Sequence, residues 1–323
     1  MKAAWYRRYG PPHVLTVGTR AVPDPGPGEV QVAVHVASVN RTDCGFLRGR
    51  PLFVRLFSGL RAPKQPVLGT EFAGVISKVG AGARRFSVGQ RVFGYTGVHF
   101  GAHAEYLTIS ERAMIDRMPD GLSYAQTAAS TEGAHYALNL LRATRVHAGQ
   151  SVLVNGATGA IGSAAVQLLV ERGVRVTAVC PGAHGGLVSS LGAHRVIDCD
   201  RENFTRLADR FDVVFDAVGK SSFRRCRRLL TRRGIYVSSD LGFLGQNPLL
   251  ALLTPLLRGR RVLFPIPRDS AEDVVFLAHL LRAGSFRPVV DREYALEQIR
   301  EAFEYVERGQ KLGNVLIRVR PGD

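Results

Sequence analysis

The sequence predicts an α/β protein in which a doubly wound parallel sheet follows a mostly-β region. From Ser123 to about residue 263, apolar strand-like runs alternate with helical patterns, which is typical of a parallel sheet covered by helices on both faces. Within that part, residues 152–180 have the order strand, glycine turn, helix, strand. Before it, apolar and polar residues alternate, as expected for half-buried strands.

Residues 1–122 are expected to be mostly β. Alternate positions from Val30 to Val36 are valine, a pattern that predicts a half-buried strand. Further glycine-punctuated strands are predicted around residues 72–76 and 90–93. Residues 50–66 (RPLFVRLFSGLRAPKQP) are apolar and basic without clear periodicity, and we predict a loop or a short helix over the site.

The rest of the chain alternates between helix and strand. Ser123 can cap a helix that runs to about Leu141. The strands predicted for the parallel sheet span 152–154, 174–180, 195–197, 212–215 and 234–238, and its helices lie at 163–171, near Leu187 and near Phe223. A last part is predicted to contain a helix at 271–283, an extended stretch at 288–294, a helix at 296–308 and a strand at 314–319.

The glycine turn after the strand at 152–154 predicts a dinucleotide site. Gly156, Gly159 and Gly162 give an A-x-G-x-x-G core that begins at Ala157. A strand that meets a helix through such a turn collects free backbone N–H groups and a helix N-terminus at one point, where a pyrophosphate binds. Small residues also let helices pack closely, but the flanking strand and helix favour the dinucleotide site.

The bulk composition limits the classes of protein. The chain has 323 residues, enough for two domains, and 46% of them are hydrophobic. It begins MKAAWYRRYG, without the apolar core of a secretory signal, and no apolar run approaches the ~20 residues of a membrane helix. The 4 cysteines are far apart, with no C-x-x-C pair. We therefore expect a cytoplasmic protein without disulfides, a zinc lobe or membrane insertion.

Arginine carries most of the formal net charge of +16. A dense arginine run extends from Arg224 to Arg233, and the apolar residues within it recur at helical spacing. That spacing places most of these arginines on the outer face of a helix, and a solvated face is the interpretation that we favour. A patch that binds RNA or another polyanion is the alternative.

The order of elements, together with several phrases, resembles the medium-chain dehydrogenase/reductase superfamily, and most of all its zinc-independent quinone oxidoreductase branch. The phrases are ASVNRTD, LGTEFAGVI, VGQRVFG, VLVNGATGAIGSAAVQ, LGAHRVID, FDAVG and GNVLIRV. The resemblance covers nearly the whole chain. It implies a GroES-like catalytic domain over 1–122, a Rossmann NADP(H)-binding domain over 123–263 and a C-terminal return to the catalytic domain over 264–323. The active site would lie in the cleft between the domains.

The resemblance also implies that no zinc is bound. Zinc-dependent relatives carry a catalytic cysteine where this chain has Asn40, a histidine where it has Thr70, and a third ligand at the position of Glu132. Zinc prefers Cys, His or carboxylate ligands in a tetrahedral array. Asn, Thr and a single Glu make a poor set, so we expect no metal.

Without zinc to polarise a carbonyl, the implied reaction needs a conjugated electrophile, such as a quinone or an α,β-unsaturated carbonyl. Hydride adds to the conjugated system, and the resulting oxyanion needs hydrogen-bond donors and a proton. We expect Asn40 to donate an amide N–H to the substrate oxygen. Thr42 stands where zinc-dependent relatives carry a proton-relay hydroxyl. Both residue types are also common in loops that follow strands, which is the alternative interpretation.

Glu132 and Tyr136 differ from the apolar or small residues and the threonine that are usual on this helix in the family. At positions i and i+4 they share one helix face, which should look into the cleft. Glu132 is a candidate general acid if burial raises its pKa. The alternative is a polar pocket wall that sets the shape of the substrate.

NADPH is the expected cofactor. An NAD site usually ends its second strand in Asp or Glu, which binds the ribose 2′-hydroxyl, whereas this chain has Cys180 followed by PGAH. His184, when protonated, can replace the basic residues that are usual there. The resemblance implies phosphate-binding roles for Arg41 and Arg308. The remaining residues expected at the cofactor are Gly156, Ala157, Thr158, Gly159, Ala160, Ile161, Gly162, Val218 and Asn314.

Three functions stay open. The first is a zinc-independent, NADPH-dependent homodimer that reduces small-molecule quinones, enones or alkenals and binds no specific nucleic acid. The second is a zinc-free dehydrogenase of alcohols or ketones, which needs Glu132 or Thr42 to do strong acid–base work. The third is a nucleotide-fold protein that binds RNA or another polyanion, an idea motivated by the charge of +16.

Overall fold

The computed structural model describes residues 1–257 and 259–320. In chain order the strands are β1 (Lys2–Trp5), β2 (Thr16–Thr19), β3 (Glu29–Val39), β4 (Glu71–Val79), β5 (Arg91–Tyr95), β6 (Tyr106–Ser110), β7 (Met114–Arg117), β8 (Ser151–Asn155), β9 (Arg175–Cys180), β10 (Arg195–Asp198), β11 (Phe211–Asp216), β12 (Leu230–Ser238), β13 (Arg261–Leu263), β14 (Val290–Ala295) and β15 (Asn314–Arg318). The α-helices are α1 (Arg41–Arg48), α2 (Val54–Ser58), α3 (Tyr124–Ala128), α4 (Glu132–Thr144), α5 (Ala160–Glu171), α6 (Gly185–Ser190), α7 (Phe223–Cys226), α8 (Gln246–Leu253), α9 (Ala271–Ala283) and α10 (Ile299–Glu307).

These elements form two compact units. The first contains residues 1–132, 269–284 and the chain from 288 to its described end, and the second contains residues 133–268 and 285–287. Strands β14 and β15 therefore belong to the unit that begins the chain.

The second unit is built on a six-stranded parallel sheet with the order β10-β9-β8-β11-β12-β13. The chain moves outward in one direction from β8 and in the other from β11, so the predicted doubly wound sheet is confirmed. The strand order reverses between β8 and β11, and such switch points are where open α/β sheets bind ligands. Its core packs Leu153, Val214 and Tyr236 against one another, all fully buried.

The first unit is built on a seven-stranded, mostly antiparallel sheet with the order β14-β15-β3-β4-β5-β7, in which β6 also pairs with β3. Its core includes Phe72, Phe303 and Ile317, all fully buried. Ala37 of β3 pairs with Phe72 of β4. That register places the start of β4 beside the end of β3, where the chain turns into α1.

The helix predicted from Ser123 to about Leu141 is wrong, because the chain forms two helices there. Ser123 does cap α3, since its Oγ accepts a hydrogen bond from Gln126 N at 3.2 Å. The helix ends at Ala128, and α4 begins at Glu132. Glu71, distant in sequence, accepts hydrogen bonds from the backbone amides at the start of α4, and amides held in this way cannot continue the α3 hydrogen-bond ladder.

Other local predictions are confirmed with shifted ends. Helix α5 starts three residues earlier than Ser163, with Gly159 as its N-cap residue. The segment 50–66 contains the short helix α2, whereas its place over the site stays a prediction. All six side chains of the arginine run are exposed while the apolar residues Cys226, Leu229 and Leu230 are buried. Only Arg224 and Arg225 lie on α7, and Arg232 and Arg233 lie on β12, so the run does not form a single helix face as predicted. Within residues 1–257 and 259–320, no helix has the length and apolar character needed to cross a bilayer.

Candidate active site

A buried group of polar side chains lies in the first unit around Glu132, the first residue of α4. Glu132 Oε1 accepts a hydrogen bond from Thr42 Oγ1 at 2.6 Å. Its Oε2 accepts hydrogen bonds from Asn40 Nδ2 at 3.2 Å and from Thr70 Oγ1. Glu132 itself is only 4% exposed. The fold therefore brings together the three positions that correspond to zinc ligands in the zinc-dependent relatives, and it adds Thr42.

Glu71 is a second buried carboxylate, which the sequence analysis did not single out. On one side it accepts hydrogen bonds from Asn40 Nδ2 at 2.8 Å and from Ser38 Oγ. On the other it accepts them from Thr131 N and Oγ1, both at 2.9 Å, and from Glu132 N. A carboxylate is stabilised at a helix N-terminus, and Asn40 bridges the two glutamates. The available sequence signal was a glutamate at the head of the apolar strand EFAGVI.

The surroundings of Glu132 raise its pKa to about 7. Burial is the main cause, because it penalises the charged form, and the charge of Glu71 adds to it. Hydrogen bonds from Thr42, Thr70 and Asn40 oppose the shift. Glu132 can therefore both hold and release a proton near neutral pH, and its partner Thr42 is only half-buried.

Asp43 fixes the start of α1, where Asn40 is the N-cap residue and Thr42 lies in the first turn. It is fully buried, and its carboxylate accepts hydrogen bonds from Asn40 N at 2.8 Å and from Gly69 N at 2.9 Å. Burial raises the pKa of Asp43 well above its usual range, and the charge of Glu132 adds to that effect.

Lys311 is a cation near the two glutamates that the sequence analysis missed. It is half-buried, and its Nζ donates a hydrogen bond to Gly313 O. Burial lowers the pKa of Lys311, while the charges of Glu132 and Glu71 act in the opposite direction. The two glutamates therefore favour the charged form of Lys311, against the effect of its burial.

Tyr136, the other predicted catalytic residue on α4, lies one turn after Glu132. It is half-buried, and its ring packs edge-on against His135 with the ring centroids 5.6 Å apart. Its catalytic role stays a prediction.

Three of the predicted cofactor residues lie in the first unit. Arg41 and Arg308 are both exposed, at the start of α1 and just after α10. Arg41 Nη1 lies 4.0 Å from the position of a Cβ built on Gly309, so the Arg41 side chain reaches the residue that follows Arg308. Asn314 Nδ2 donates to Ala129 O at 3.0 Å, while its buried Oδ1 has no partner.

The predicted glycine turn lies in the second unit at the carboxyl end of β8. Gly156 has φ +80°, and a Cβ there would lie 2.2 Å from Val218 Cγ1. A Cβ on Gly162 would lie 2.1 Å from Gly156 O, so both positions require glycine. Gly159, in contrast, faces nearly open space at the N-terminus of α5. The turn and the first turn of the helix also contain Ala157, Thr158, Ala160 and Ile161.

Asp216, at the end of β11, holds the loop that contacts this turn. Its carboxylate accepts hydrogen bonds from Asn155 Nδ2 at 2.9 Å, from Ser221 N at 3.0 Å and from Tyr236 Oη at 3.0 Å. These bonds place Val218 against the glycine turn. The signal in the sequence was the Asp of the phrase FDAVG.

The end of β9 differs from its appearance in the sequence. Cys180, the last residue of β9, is buried, and His184 ends the short 3-10 turn that follows. The parallel partner of Cys180 is Asp198 of β10, and Asp200 Oδ2 accepts a hydrogen bond from Gly182 N at 3.3 Å. Asp198 and Asp200 therefore lie beside the end of β9, although β9 itself ends without an acidic residue.

Comparison with known proteins identifies the family. Residues 26–120 match the family described as Alcohol dehydrogenase GroES-like domain, and residues 191–317 match Zinc-binding dehydrogenase. The chain is 30% identical to 2-methylene-furan-3-one reductase of Solanum lycopersicum, over 99% of this chain and 80% of the relative. The chain belongs to the medium-chain dehydrogenase/reductase superfamily, in its quinone oxidoreductase-like branch.

Two further members of the superfamily are similar over nearly the whole chain. The chloroplastic NADPH-dependent alkenal/one oxidoreductase of Arabidopsis thaliana is 28% identical, over 98% of this chain and 79% of the relative. The structure of Escherichia coli quinone oxidoreductase complexed with NADPH has a TM-score of 0.83 at 25% identity, covering 99% of this chain and 100% of that one. The family and the fold inferred from the sequence are thus confirmed.

The residues at the zinc position of the superfamily do not fit zinc. Asn40 and Thr70 direct N–H and O–H groups at Glu132 and so act as donors rather than as lone-pair ligands. Within residues 1–257 and 259–320, no cluster of three His, Cys, Asp or Glu could hold a metal ion. A catalytic zinc needs three good protein ligands, which this set does not supply.

The residues at the dinucleotide position do fit a dinucleotide. Gly159 has nearly open space beside it at the N-terminus of α5, where the first backbone N–H groups of a helix lack intrahelical acceptors, which suits a pyrophosphate.

Proposed function

We propose that the chain is a zinc-independent, NADPH-dependent oxidoreductase that reduces quinones or α,β-unsaturated carbonyls. The observation that carries this proposal is the 2.6 Å hydrogen bond between Glu132, whose pKa is about 7, and the half-buried hydroxyl of Thr42. The names of two relatives, a 2-methylene-furan-3-one reductase and an NADPH-dependent alkenal/one oxidoreductase, support the substrate class and the cofactor.

The chain supplies a proton path from Glu132 to Thr42. Below its pKa, Glu132 carries a proton and donates a hydrogen bond to Thr42 Oγ1, which leaves the Thr42 hydrogen free for the substrate. NADPH, when bound, supplies the hydride that adds to the β-carbon of an enone or to a quinone. As charge develops on the substrate oxygen, Thr42 gives it a proton and takes that of Glu132. The substrate gains a hydride and a proton, and Glu132 ends as a carboxylate.

We propose a different role for Asn40 from the one that the sequence suggested. Its amide nitrogen is directed at Glu71 and Glu132, and only 3% of the residue is exposed. Asn40 therefore acts as a positioning residue that holds Glu132 towards Thr42. Arg41 and Arg308 are proposed to bind the cofactor phosphate.

A zinc-free alcohol or ketone dehydrogenase is the second candidate, because the pair of Glu132 and Thr42 also suits acid–base work on an alcohol. A substrate panel with spectrophotometric NADPH consumption separates the two functions. We expect quinones and enones to be reduced much faster than saturated ketones, with activity insensitive to chelators and without stoichiometric zinc by elemental analysis. If saturated ketones are reduced as fast as enones and quinones, the chain is instead an alcohol or ketone dehydrogenase.

A cytoplasmic homodimer is proposed as the working state. Strand β13 forms an open edge of the six-stranded sheet, and large exposed apolar side chains precede it, namely Leu249, Leu252, Leu253, Leu256 and Leu257. Exposed apolar surface of this extent marks an interaction site. The four cysteines are all unpaired, which suits a reducing compartment. Light scattering of the purified protein tests the dimer.

A further inference from the structure

The segment from Arg50 to Lys64 presents a surface that takes no part in the hydrogen bonds around Glu132. Its five large apolar side chains are 45% to 72% exposed: Leu52, Phe53, Leu56, Phe57 and Leu60. They lie on and around α2, and we call them the α2 surface. Water-facing apolar side chains grouped in this way are uncommon unless they bind something.

The inner side of this segment is fixed to the first unit. Val54 is buried, and Tyr9 Oη donates to Gly59 O at 2.6 Å and lies 2.8 Å from Ser58 Oγ. The Arg55 guanidinium lies over the Tyr9 ring, 4.7 Å from its centroid. Because the inner side is held by these contacts, the apolar side chains of the α2 surface are presented outward.

The α2 surface is bordered by cations and lacks acids. The sequence contains no Asp or Glu between Asp43 and Glu71. Arg50, Arg61 and Lys64 are exposed on the segment itself. Two more exposed arginines, at positions 7 and 8, come directly before Tyr9, the residue that anchors the segment. Exposed apolar side chains next to basic residues, without acidic ones, indicate a partner that is both apolar and negatively charged.

We propose that the α2 surface docks peripherally on an anionic lipid bilayer. The leucine and phenylalanine side chains enter the boundary between headgroups and acyl chains, while the bordering arginines and lysine bind lipid phosphates. This mode needs no spanning helix. A second copy of the chain fits less well, because a two-fold contact through the same surface would bring its cations against one another.

The test measures binding of the full-length protein to vesicles by flotation. Vesicles of phosphatidylcholine with phosphatidylglycerol are compared with phosphatidylcholine alone, at low and physiological salt. We expect binding to the anionic vesicles only, weakened by salt. The double variant L56Q/F57Q should bind about tenfold more weakly, since two large apolar side chains no longer enter the bilayer. R61Q/K64Q should also bind the anionic vesicles more weakly, because two of the cations that contact lipid phosphates are removed.

Two controls make the test specific. V88Q/V98Q removes two exposed valines elsewhere in the first unit and should bind as the wild type does. Phe57→Trp should show a blue-shifted emission that brominated lipids quench. Wild-type protein that ignores anionic vesicles, or L56Q/F57Q that binds them unchanged, would overturn the proposal. So would a wild-type oligomer that L56Q/F57Q dissociates, because the surface would then be a contact between copies.

Discussion

At the residue scale, the protonation of Glu132 reflects a balance of opposing effects. Burial and the charge of Glu71 favour the neutral acid, whereas Thr42, Thr70 and Asn40 donate hydrogen bonds that favour the carboxylate. The result is a pKa of about 7. A catalytic acid is most effective when its pKa lies near the working pH, so this carboxyl suits proton delivery better than an exposed glutamate would.

Replacing Thr42 by Val keeps the shape and removes the hydroxyl that bonds Glu132 and is proposed to reach the substrate. We expect NADPH-dependent turnover of enones to fall by about 10²-fold or more, the usual contribution of a general acid. Quinones, which accept electrons readily, should lose less. Thr108→Val, the same change at a half-buried strand position, is the matched control and should retain activity. Equal losses with enones and quinones would contradict the relay.

Replacing Arg308 by Ala should weaken the preference for NADPH. A charge-assisted hydrogen bond to phosphate contributes about 1.5–3 kcal/mol, so the ratio of kcat/KM for NADPH over NADH should fall by about ten- to a hundredfold. Asp200→Asn is the opposing variant, because it removes a carboxylate near the end of β9 and should increase the ratio. Equal losses with both cofactors in the Arg308 variant would show a structural role instead.

At the element scale, the start of α4 depends on Glu71. Its carboxylate accepts hydrogen bonds from Thr131 N and Glu132 N and, on the other side, from Asn40 and Ser38. The single helix predicted from the Ser123 cap to about Leu141 could not show this break. The cause is a contact between residues sixty positions apart, and helical propensity contains no information about it.

Glu71→Gln should destabilise the protein and also change Glu132. The amide group of glutamine would face the donors of Asn40 and Ser38, and a lost charged hydrogen bond of this kind costs about 1.5–3 kcal/mol of unfolding free energy. Since the charge of Glu71 helps to raise the pKa of Glu132, the activity limit should move to lower pH. Denaturant unfolding and a pH profile measure the two effects.

The control for this variant is Glu111→Gln. Glu111 also accepts hydrogen bonds from two backbone amides, those of Arg84 and Arg85, both at 2.7 Å, but at the surface. It should cost less stability and leave the pH profile unchanged. If Glu71→Gln does not shift the pH profile of activity, Glu71 stabilises the start of α4 but does not affect the pKa of Glu132.

At the scale of the whole molecule, the sequence predicted most of the architecture. Strand alternation and the glycine turn predicted the parallel sheet, and family phrases predicted that Asn40, Thr70 and Glu132 belong to one site. What the sequence could not show depends on sheet registers. The pairing of β3 with β4 brings Glu71 to Asn40, and the pairing of β9 with β10 brings acidic residues to Cys180.

The net charge of +16 leads to a prediction about nucleic acids. The exposed arginines of the run from Arg224 to Arg233 offer phosphate contacts, but no base-reading pattern accompanies them. Any affinity for RNA should therefore fall steeply between low and physiological salt, by about 10³-fold or more if six phosphates are contacted. Filter binding over a salt series measures this. Sequence-selective binding that survives physiological salt would support the polyanion alternative.

The most direct test of the proton path is the pH dependence of kcat/KM for enone reduction, in the wild type and in Glu132→Gln. Glu132 must carry a proton to act as an acid, so the wild-type rate should be highest at low pH and decrease as the pH rises through about 7. Glu132→Gln should be slower by about 10²–10⁴-fold and should lack that decrease. A wild-type rate that does not change through this range, or a variant that keeps the same profile, would contradict the account.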